Sequence, residues 1–221
     1  MSAHHKFGPS TLGMREASPC YVPKNDDNKH TARGTVLHEA MEHMSDEKVE
    51  HNDQWAFYEA TGRLQGMGLL KDDGKFIFEG EREQKLTLYD DEDELLFGTA
   101  DLLLFDHISK EIFLIDYKFG SWPVPQPKDN LQLTAYAAAA LQKYPDFLSC
   151  NTLIIQPGHE YEMYTVSHKE GAHIVEKVSK LIQDCKDAEA TGNIKPSIKA
   201  CMFCDRFVGC PGPMQMVEDL L

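Results

Sequence analysis

The strongest constraint on the fold is a short apolar segment that ends in an acid and a base. Residues 112–115 read Ile-Phe-Leu-Ile between two turn-forming segments, which is the pattern of a short buried strand. Because side chains alternate along a strand, Asp116 and Lys118 lie on the same face. A second apolar run, residues 95–106, carries Asp101 at a position where a core residue is expected.

These two runs predict an antiparallel hairpin. An even-length loop centred between Ile108 and Ser109 places Asp101 directly opposite Asp116, whereas an odd loop or a bulge breaks that register. Facing carboxylates repel each other, and their burial is costly unless a cation or a proton compensates. A divalent cation, Mg²⁺ or Mn²⁺, would compensate both, with Lys118 beside it. The alternative is that the two acids lie at an exposed rim.

An alanine-rich segment follows and predicts a helix over residues 131–144. Asp129 and Asn130 are both suitable N-caps for it. Gln132 and Tyr136 are four residues apart and therefore share one face of this helix.

Three motifs, Gly98-Thr-Ala-Asp101, Asp116-Tyr-Lys118 and Gln132-x-x-x-Tyr136, together resemble the RecB branch of the PD-(D/E)XK nuclease superfamily. In that branch a histidine on an early helix also belongs to the site, and Gly34-Thr-Val-Leu-His38-Glu is similar to its motif. The resemblance implies an α/β fold with a restriction-endonuclease-like mixed central sheet flanked by helices. It also implies a metal-dependent DNA exonuclease.

The resemblance further implies the roles of individual residues. One or two divalent cations are expected on a set of side-chain and backbone ligands, namely His38, Asp101, Asp116 and the backbone carbonyl of Tyr117. The expected catalytic residues are Asp101, Asp116, Lys118, Gln132 and Tyr136. Lys118 would orient or deprotonate the attacking water, and the two helix residues would position Lys118 or the DNA strand. The expected product carries a 5′-phosphate.

The cysteines form a second chemical feature. Cys201, Cys204 and Cys210 make a C-x2-C-x5-C triplet, which needs one more ligand to complete a four-thiolate site. Cys20 lies in irregular chain that can bend toward such a site. The two remaining cysteines fall in apolar surroundings and are expected to be small core residues, Cys150 and Cys185.

A remote N-terminal cysteine and a C-terminal triplet that enclose a nuclease core resemble the iron-sulfur nucleases, namely the AddB nuclease domain and the CRISPR-associated adaptation exonucleases. This resemblance implies a structural 4Fe-4S cluster on Cys20, Cys201, Cys204 and Cys210. Structural zinc is the alternative, because the C-x2-C pair alone suits it equally well. The expected organisation is one domain over residues 1–221, with a core at about 34–190. Cluster-binding segments are expected at about 8–33 and 195–221.

Charge and hydropathy limit the partners. The net charge of −14 over 221 residues argues against tight, sequence-specific binding of duplex DNA. It does not exclude a nuclease, because bound cations bring phosphate to an acidic site. The expected partners are DNA, as single strands or duplex ends, and a helicase or recombination protein. The sequence contains neither a bilayer-spanning apolar run nor a signal-peptide core, so we expect a cytoplasmic protein without a membrane partner.

Two other functions fit parts of the sequence. The chain could be a catalytically inactive iron-sulfur scaffold that binds DNA ends within a helicase or recombination complex. It could also be a metal-dependent hydrolase of a substrate that is not a nucleic acid, which an acidic surface would suit. The compact size favours a stand-alone DNA-processing enzyme of phage or prokaryotic origin. Outside the proposed site, we expect Glu79 and Glu81 to face solvent, and Trp55, Phe57 and Tyr58 to be packing residues rather than a platform on which bases stack.

Overall fold

The computed structural model describes residues 6–24 and 29–218. The predicted domain and cluster-binding segments also cover residues 1–5, 25–28 and 219–221, which lie outside the described residues. The strands are β1 Glu79–Asp90, β2 Asp93–Asp106, β3 Glu111–Tyr117, β4 Ser149–Ile155 and β5 Met163–Ser167. The helices are α1 Leu12–Ala17, α2 Lys29–His43, α3 Gln54–Gly66, α4 Leu131–Lys143, α5 His168–Thr191, α6 Ile198–Cys201 and α7 Gly212–Glu218. Within these ranges no helix is long and apolar enough to cross a membrane.

The five strands form one mixed sheet in the order β1-β2-β3-β4-β5. β2 runs antiparallel to both β1 and β3, and β5 runs antiparallel to β4. β3 and β4 are parallel, and α4 provides the crossover that two parallel neighbours require. The predicted antiparallel hairpin, the parallel fourth strand and the mixed α/β class are therefore confirmed.

The turn between β2 and β3 fixes the register of the hairpin. Asp106 Oδ1 accepts hydrogen bonds from the backbone N–H groups of Ile108 (2.8 Å) and Ser109 (3.1 Å). Lys110 closes the turn in the left-handed region at φ 60°. The loop of four residues between the paired Asp106 and Glu111 is even in length and centred where the sequence predicts. The predicted register is confirmed.

The sheet is buried on both faces, and each face has its own apolar core. One core joins alternate sheet residues, such as Leu103 and Leu114, to α4 and α5. The other joins the intervening residues, such as Leu102 and Ile115, to α2 and α3. Helices of both layers can therefore reach the same end of the central strands.

Helix α3 corrects one expectation. It packs through a single stripe that includes Phe57, Ala60 and Leu64. Trp55 and Tyr58 flank that stripe and are 51% and 57% exposed, so the prediction that they are packing residues is wrong. The reason is the 3.6-residue period, which allows one stripe of α3, but not its flanks, to face the sheet.

Candidate active site

The site forms where β3 ends. The ladder pairs Leu102 with Ile115, and the next step of the same register sets Asp101 against Asp116. Asp116 is only 4% exposed. Asp101 Oδ2 accepts a hydrogen bond of 2.7 Å from the backbone N–H of Tyr117. The hairpin thus holds two carboxylates side by side at the edge of the core.

Burial and mutual repulsion govern the charge of this pair. Burial, and then the charge of Asp116, raise the pKa of Asp101 from its ordinary value to about 7. The N–H of Tyr117 and the charge of Lys118 act in the opposite direction. Lys118 Nζ lies 2.7 Å from Asp116 Oδ2, and the two groups form an ion pair. The angles between them do not meet those of a hydrogen bond. A cation is therefore already favoured at this point of the structure.

Helix α4 supplies one wall of the site. Asn130 caps the helix by accepting a hydrogen bond from the N–H of Leu133 (3.2 Å). Gln132, in the first turn, directs its Nε2 to within 3.5 Å of Asp116 Oδ1. Tyr136, one turn later, is buried and shares a hydrogen bond with Gln132. Burial, and then the charges of the two aspartates, raise the pKa of Tyr136, so its phenol stays neutral and can donate a hydrogen bond.

The glycine of the Gly98-Thr-Ala-Asp101 motif makes room for this tyrosine. A Cβ atom added at Gly98 would lie 2.5 Å from Tyr136 Oη and 3.0 Å from the ring of Pro9. Contacts this close are not tolerated between carbon and oxygen atoms, so residue 98 must be glycine for Tyr136 to occupy its position. The motif thus supplies the acid Asp101 and, through Gly98, leaves the space that Tyr136 occupies.

Helix α2 supplies the opposite wall. His38 Nδ1 lies 3.5 Å from Asp101 Oδ2. The imidazole meets Phe119 edge to face, with 5.3 Å between ring centroids. Burial, followed by the charge of Lys118, lowers the pKa of His38, which favours the neutral ring that can bind a metal. Every residue that the sequence predicts for the catalytic centre is therefore brought to one place.

Sequence reasoning missed Glu83. The register of β1 with β2 sets it opposite Asp101, although the residue itself is not a paired position of the ladder. Glu83 is an exposed residue, and the partial burial of its carboxyl group, followed by the charges of Asp101 and Glu42, raises its pKa. The alternation of Glu79, Glu81 and Glu83 was visible in the sequence, but it resembles an exposed face. Glu79 is exposed as expected, whereas Glu81 is half-buried and accepts a hydrogen bond from Tyr144.

The donor atoms at this site suit a hard divalent cation. Two carboxylates, a neutral imidazole and a strand-end carbonyl are ligands that Mg²⁺ and Mn²⁺ accept. Asp116 Oδ2 is buried without a hydrogen bond, and the ammonium of Lys118, at 2.7 Å, is its charged partner. Within residues 6–24 and 29–218, no three His, Cys, Asp or Glu side chains form a group that could hold a metal ion as they stand, either here or among the cysteines.

The four cysteines predicted to act together line one cavity of about 580 Å³. Around it, the N- and C-terminal segments are joined by a β-bridge between Pro23 and Cys204 and by a hydrogen bond from Asp205 N–H to the carbonyl of Val22 (2.9 Å). All six cysteines are free thiols. The two that are expected in the core are fully buried there, Cys150 and Cys185.

A cationic and aromatic groove lies beside the aspartate pair. A cavity of about 390 Å³ is lined by Arg33, Trp55, Lys118 and His159, among others. Arg33 is held in place by an ion pair with Asp53 (2.7 Å) and by a hydrogen bond from its Nη1 to the carbonyl of Phe119 (2.6 Å). This groove therefore shares Lys118 with the aspartate pair.

The family model described as "Protein of unknown function (DUF2800)" matches residues 80–220, which include β1 to β5 and the C-terminal cysteines. No curated protein matches the sequence. The crystal structure of SSO0001 is similar at 17% identity and a TM-score of 0.38, covering 82% of this chain and 81% of that one. A "putative exonuclease" from Eubacterium rectale is similar at 12% identity and a TM-score of 0.39, covering 82% of this chain and 74% of that one. Both scores are below 0.5, so any assignment of function has to come from the site.

Proposed function

The chain belongs to the DUF2800 family, whose description assigns no activity, and from its site we propose that it is a metal-dependent nuclease that hydrolyses phosphodiester bonds in DNA. One observation carries the proposal: two carboxylates, Asp101 and Asp116, stand in register at a strand end with Lys118 beside them. This combination of paired acids and a lysine suits phosphodiester hydrolysis, because the reaction builds negative charge on the phosphate and needs an activated water.

Each residue of the site has a proposed role. His38, Asp101, Asp116 and the backbone carbonyl of Tyr117 would hold Mg²⁺ or Mn²⁺. When bound, such a cation polarises the scissile phosphate and lowers the pKa of a coordinated water. Lys118 would orient the attacking water and offset charge on the phosphate. Water adds to phosphorus, the bond to the 3′-oxygen breaks, and the products are a 5′-phosphate and a 3′-hydroxyl.

Helix α4 would keep Lys118 and Asp116 in their working positions. Gln132 already reaches Asp116, and Tyr136 holds Gln132 from behind. Both side chains are fixed by the helix and its packing, which restricts them to few rotamers. A neutral Tyr136 phenol adds no charge that would repel the substrate. These contacts support roles in positioning for both residues.

The groove beside Lys118 supports a nucleic-acid substrate over a substrate of another kind. Arg33 and Lys118 place two cations in the groove, each paired with an aspartate, and the exposed face of Trp55 offers a surface on which a base can stack. This is the feature that favours the nuclease over a hydrolase of a non-nucleic substrate. In line with the resemblance to RecB-like enzymes, we propose exonucleolytic action on DNA ends or single strands, with a helicase or recombination protein as partner.

We also propose a structural 4Fe-4S cluster on Cys20, Cys201, Cys204 and Cys210. The proposal is supported by the cavity that the four cysteines share and by the core positions of the two other cysteines. Thiolates are the ligands that such clusters require. The cluster would join the two ends of the chain and take no part in hydrolysis. Structural zinc at the same thiols remains the competing occupant.

The test is cleavage of labelled single-stranded and duplex DNA with Mg²⁺ or Mn²⁺. The wild-type protein should degrade DNA, and Asp116→Asn and Lys118→Ala should each lose at least a hundredfold in rate. Glu79→Gln is the control, because this acid lies on the same sheet but is exposed and outside the site. DNA binding without cleavage in every condition would favour the inactive scaffold. Retained cleavage in Asp116→Asn would contradict the assigned site.

A further inference from the structure

We propose that the groove beside Lys118 binds DNA as an unpaired single strand, with Trp55 as a residue on which a base stacks. The inference rests on the proposed function and deepens it, because it names the form of the substrate and a residue that recognises it. The groove is lined by Lys118 directly after β3, by Trp55 of α3 and by residues 157–159 shortly after β4, among others. A strand bound here would lie between the aspartate pair and the indole of Trp55.

A buried glutamine fixes one wall of the groove. Gln156 is 4% exposed, and its Nε2 donates hydrogen bonds to the carbonyls of Gly120 (2.8 Å) and Trp122 (2.7 Å). Its Oε1 accepts a hydrogen bond of 3.2 Å from the N–H of Val124. The loop that follows Lys118 is therefore held at three points of its backbone by one buried side chain whose own polar atoms are satisfied.

Helix α3 fixes the other wall through a carboxylate. Both oxygens of Glu59 accept a hydrogen bond from the N–H of Gly158, at 3.0 Å each. Arg63, one turn later, pairs with Glu59 and donates a hydrogen bond to the carbonyl of Gln156 (3.1 Å). Trp55, one turn before Glu59, shares this face of α3, and a Cβ atom added at Gly158 would lie 4.0 Å from its Cη2. The indole therefore lies against a loop that is itself fixed.

Charge alone is a weak source of affinity in this groove. The two cations that line it are already paired, Arg33 with Asp53 and Lys118 with Asp116, at 2.7 Å in each case. Each can turn to a phosphate only by giving up part of that pairing, and the chain carries a net charge of −14. Stacking of a base on an aromatic ring does not depend on paired cations. We therefore expect the half-exposed indole of Trp55 to supply much of the affinity.

Stacking on Trp55 requires an unpaired base. In a duplex the faces of each base are covered by its neighbours, whereas a single strand can turn its bases onto aromatic side chains. The second tryptophan supports the same substrate, because Trp122 directly follows Ser121, a residue that lines the groove, and is 84% exposed. The chain has two tryptophans in all, so its intrinsic fluorescence reports on this groove and the loop beside it.

The experiment is a titration in EDTA with a short labelled oligothymidylate, so that binding is measured without cleavage. Binding should quench the tryptophan fluorescence of the wild type. Trp55→Ala should weaken the affinity, measured by the anisotropy of the label, about tenfold or more, because a stacked base is lost. Trp55→Phe should recover most of the affinity, because it restores a ring face. An oligomer of the same length with abasic sites keeps every phosphate and should bind the wild type at least tenfold more weakly than the intact oligomer, by about the same loss of stacking.

Tyr58→Ala is the matched control, since it removes a ring of similar exposure (57%) from the same helix but not from the lining of the groove. Its affinity for the oligomer should equal that of the wild type. Hydrolysis of methyl p-nitrophenyl phosphate with Mn²⁺ separates the inference from the proposed function, because this phosphodiester carries no base. Its rate should be the same in the wild type and in Trp55→Ala.

Equal affinity of the wild type and Trp55→Ala for the oligomer would overturn the inference and leave the proposed function standing. Absence of binding by the wild type in EDTA, equal binding of intact and abasic oligomers, or tighter binding of a blunt duplex would overturn it as well. Loss of the reaction with the small ester in Trp55→Ala would make the indole a structural support of the aspartate pair, which also contradicts the inference. If the wild type hydrolyses neither DNA nor the ester, the proposed function fails, while the binding measurements still decide the inference.

Discussion

Asp101 shows how one side chain can be costly to the fold and useful to the site. Its carboxylate is largely buried, faces a second buried carboxylate and receives one backbone N–H in return. The single hydrogen bond does not offset the loss of solvent and the repulsion by Asp116, which is why its pKa rises. A residue in this position destabilises the fold at neutral pH unless a cation is bound. Its presence is explained by function.

This cost predicts a pH dependence for the protein in EDTA. The unfolded chain loses the Asp101 proton near pH 4, whereas the folded protein keeps it until about pH 7. The folded state thus binds more protons between these values, so the contribution of Asp101 is fully present below about pH 4 and is lost as the pH rises through about 7. The free energy of unfolding of wild type relative to Asp101→Asn should therefore fall by about 1 kcal/mol or more from pH 4.5 to 7.5. Urea unfolding of both proteins measures it, and parallel pH profiles would contradict the assigned burial of this carboxylate.

At the scale of the element, helix α4 is the link between local sequence and the site. Its alanines pack closely on the sheet and on α5, and its cap residue sets where the first turn begins. Gln132 is the second residue of that turn, so the position of its side chain depends on the cap. Helix α5 is capped in a similar way by Ser167, in a capping box with Glu170, but it does not reach the aspartates.

The two caps give a matched pair of variants. Asn130→Ala and Ser167→Ala should each lower the free energy of unfolding by about 1 kcal/mol, the usual cost of losing a side-chain cap. Only Asn130→Ala should slow DNA cleavage, because fraying of the first turn of α4 moves Gln132 away from Asp116. Urea unfolding and initial cleavage rates of both variants measure this. Equal rates in the two variants would mean that Gln132 does not position Asp116.

Single strands and helices also show which features of the fold the sequence could predict. The register of β2 with β3 was predictable, because the parity of one short loop decides it and Asp106 provides the turn. The left-handed φ of Glu83 was not predictable, because the position holds neither glycine nor asparagine and the residues around it alternate as on an exposed strand. The exposure of Trp55 was missed for a related reason, since composition says that an aromatic residue prefers burial but not which flank of a helix it occupies.

For the whole molecule, the proposed function requires an acidic chain to bind an acidic substrate. The net charge is −14, and five acidic residues lie together at positions 90–94, at the turn between β1 and β2. The acids of the site add further negative charge. The groove with Arg33 and Lys118 is a local exception, and local potential decides encounter more than net charge does. The segments around Cys20 and Cys204, by contrast, meet through a separate small apolar cluster of Tyr21, Ala200 and Cys204.

The joining of the two chain ends gives the last prediction. The third apolar cluster is small, so the segments around Cys20 and Cys204 have little buried surface to hold them together without a metal site. Protein purified without oxygen should be brown and carry about four irons per chain, and Cys20→Ser should lose iron as completely as Cys204→Ser. Cys150→Ala is the control, because its thiol is fully buried in the main core, and it should keep its iron. Hydrogen exchange should show the segments 18–24 and 197–210 loosening together in both serine variants, because each loses the same cluster. Colourless, folded protein that contains zinc would assign the four thiols to the competing metal, and iron retained in Cys20→Ser would exclude this residue as the fourth ligand.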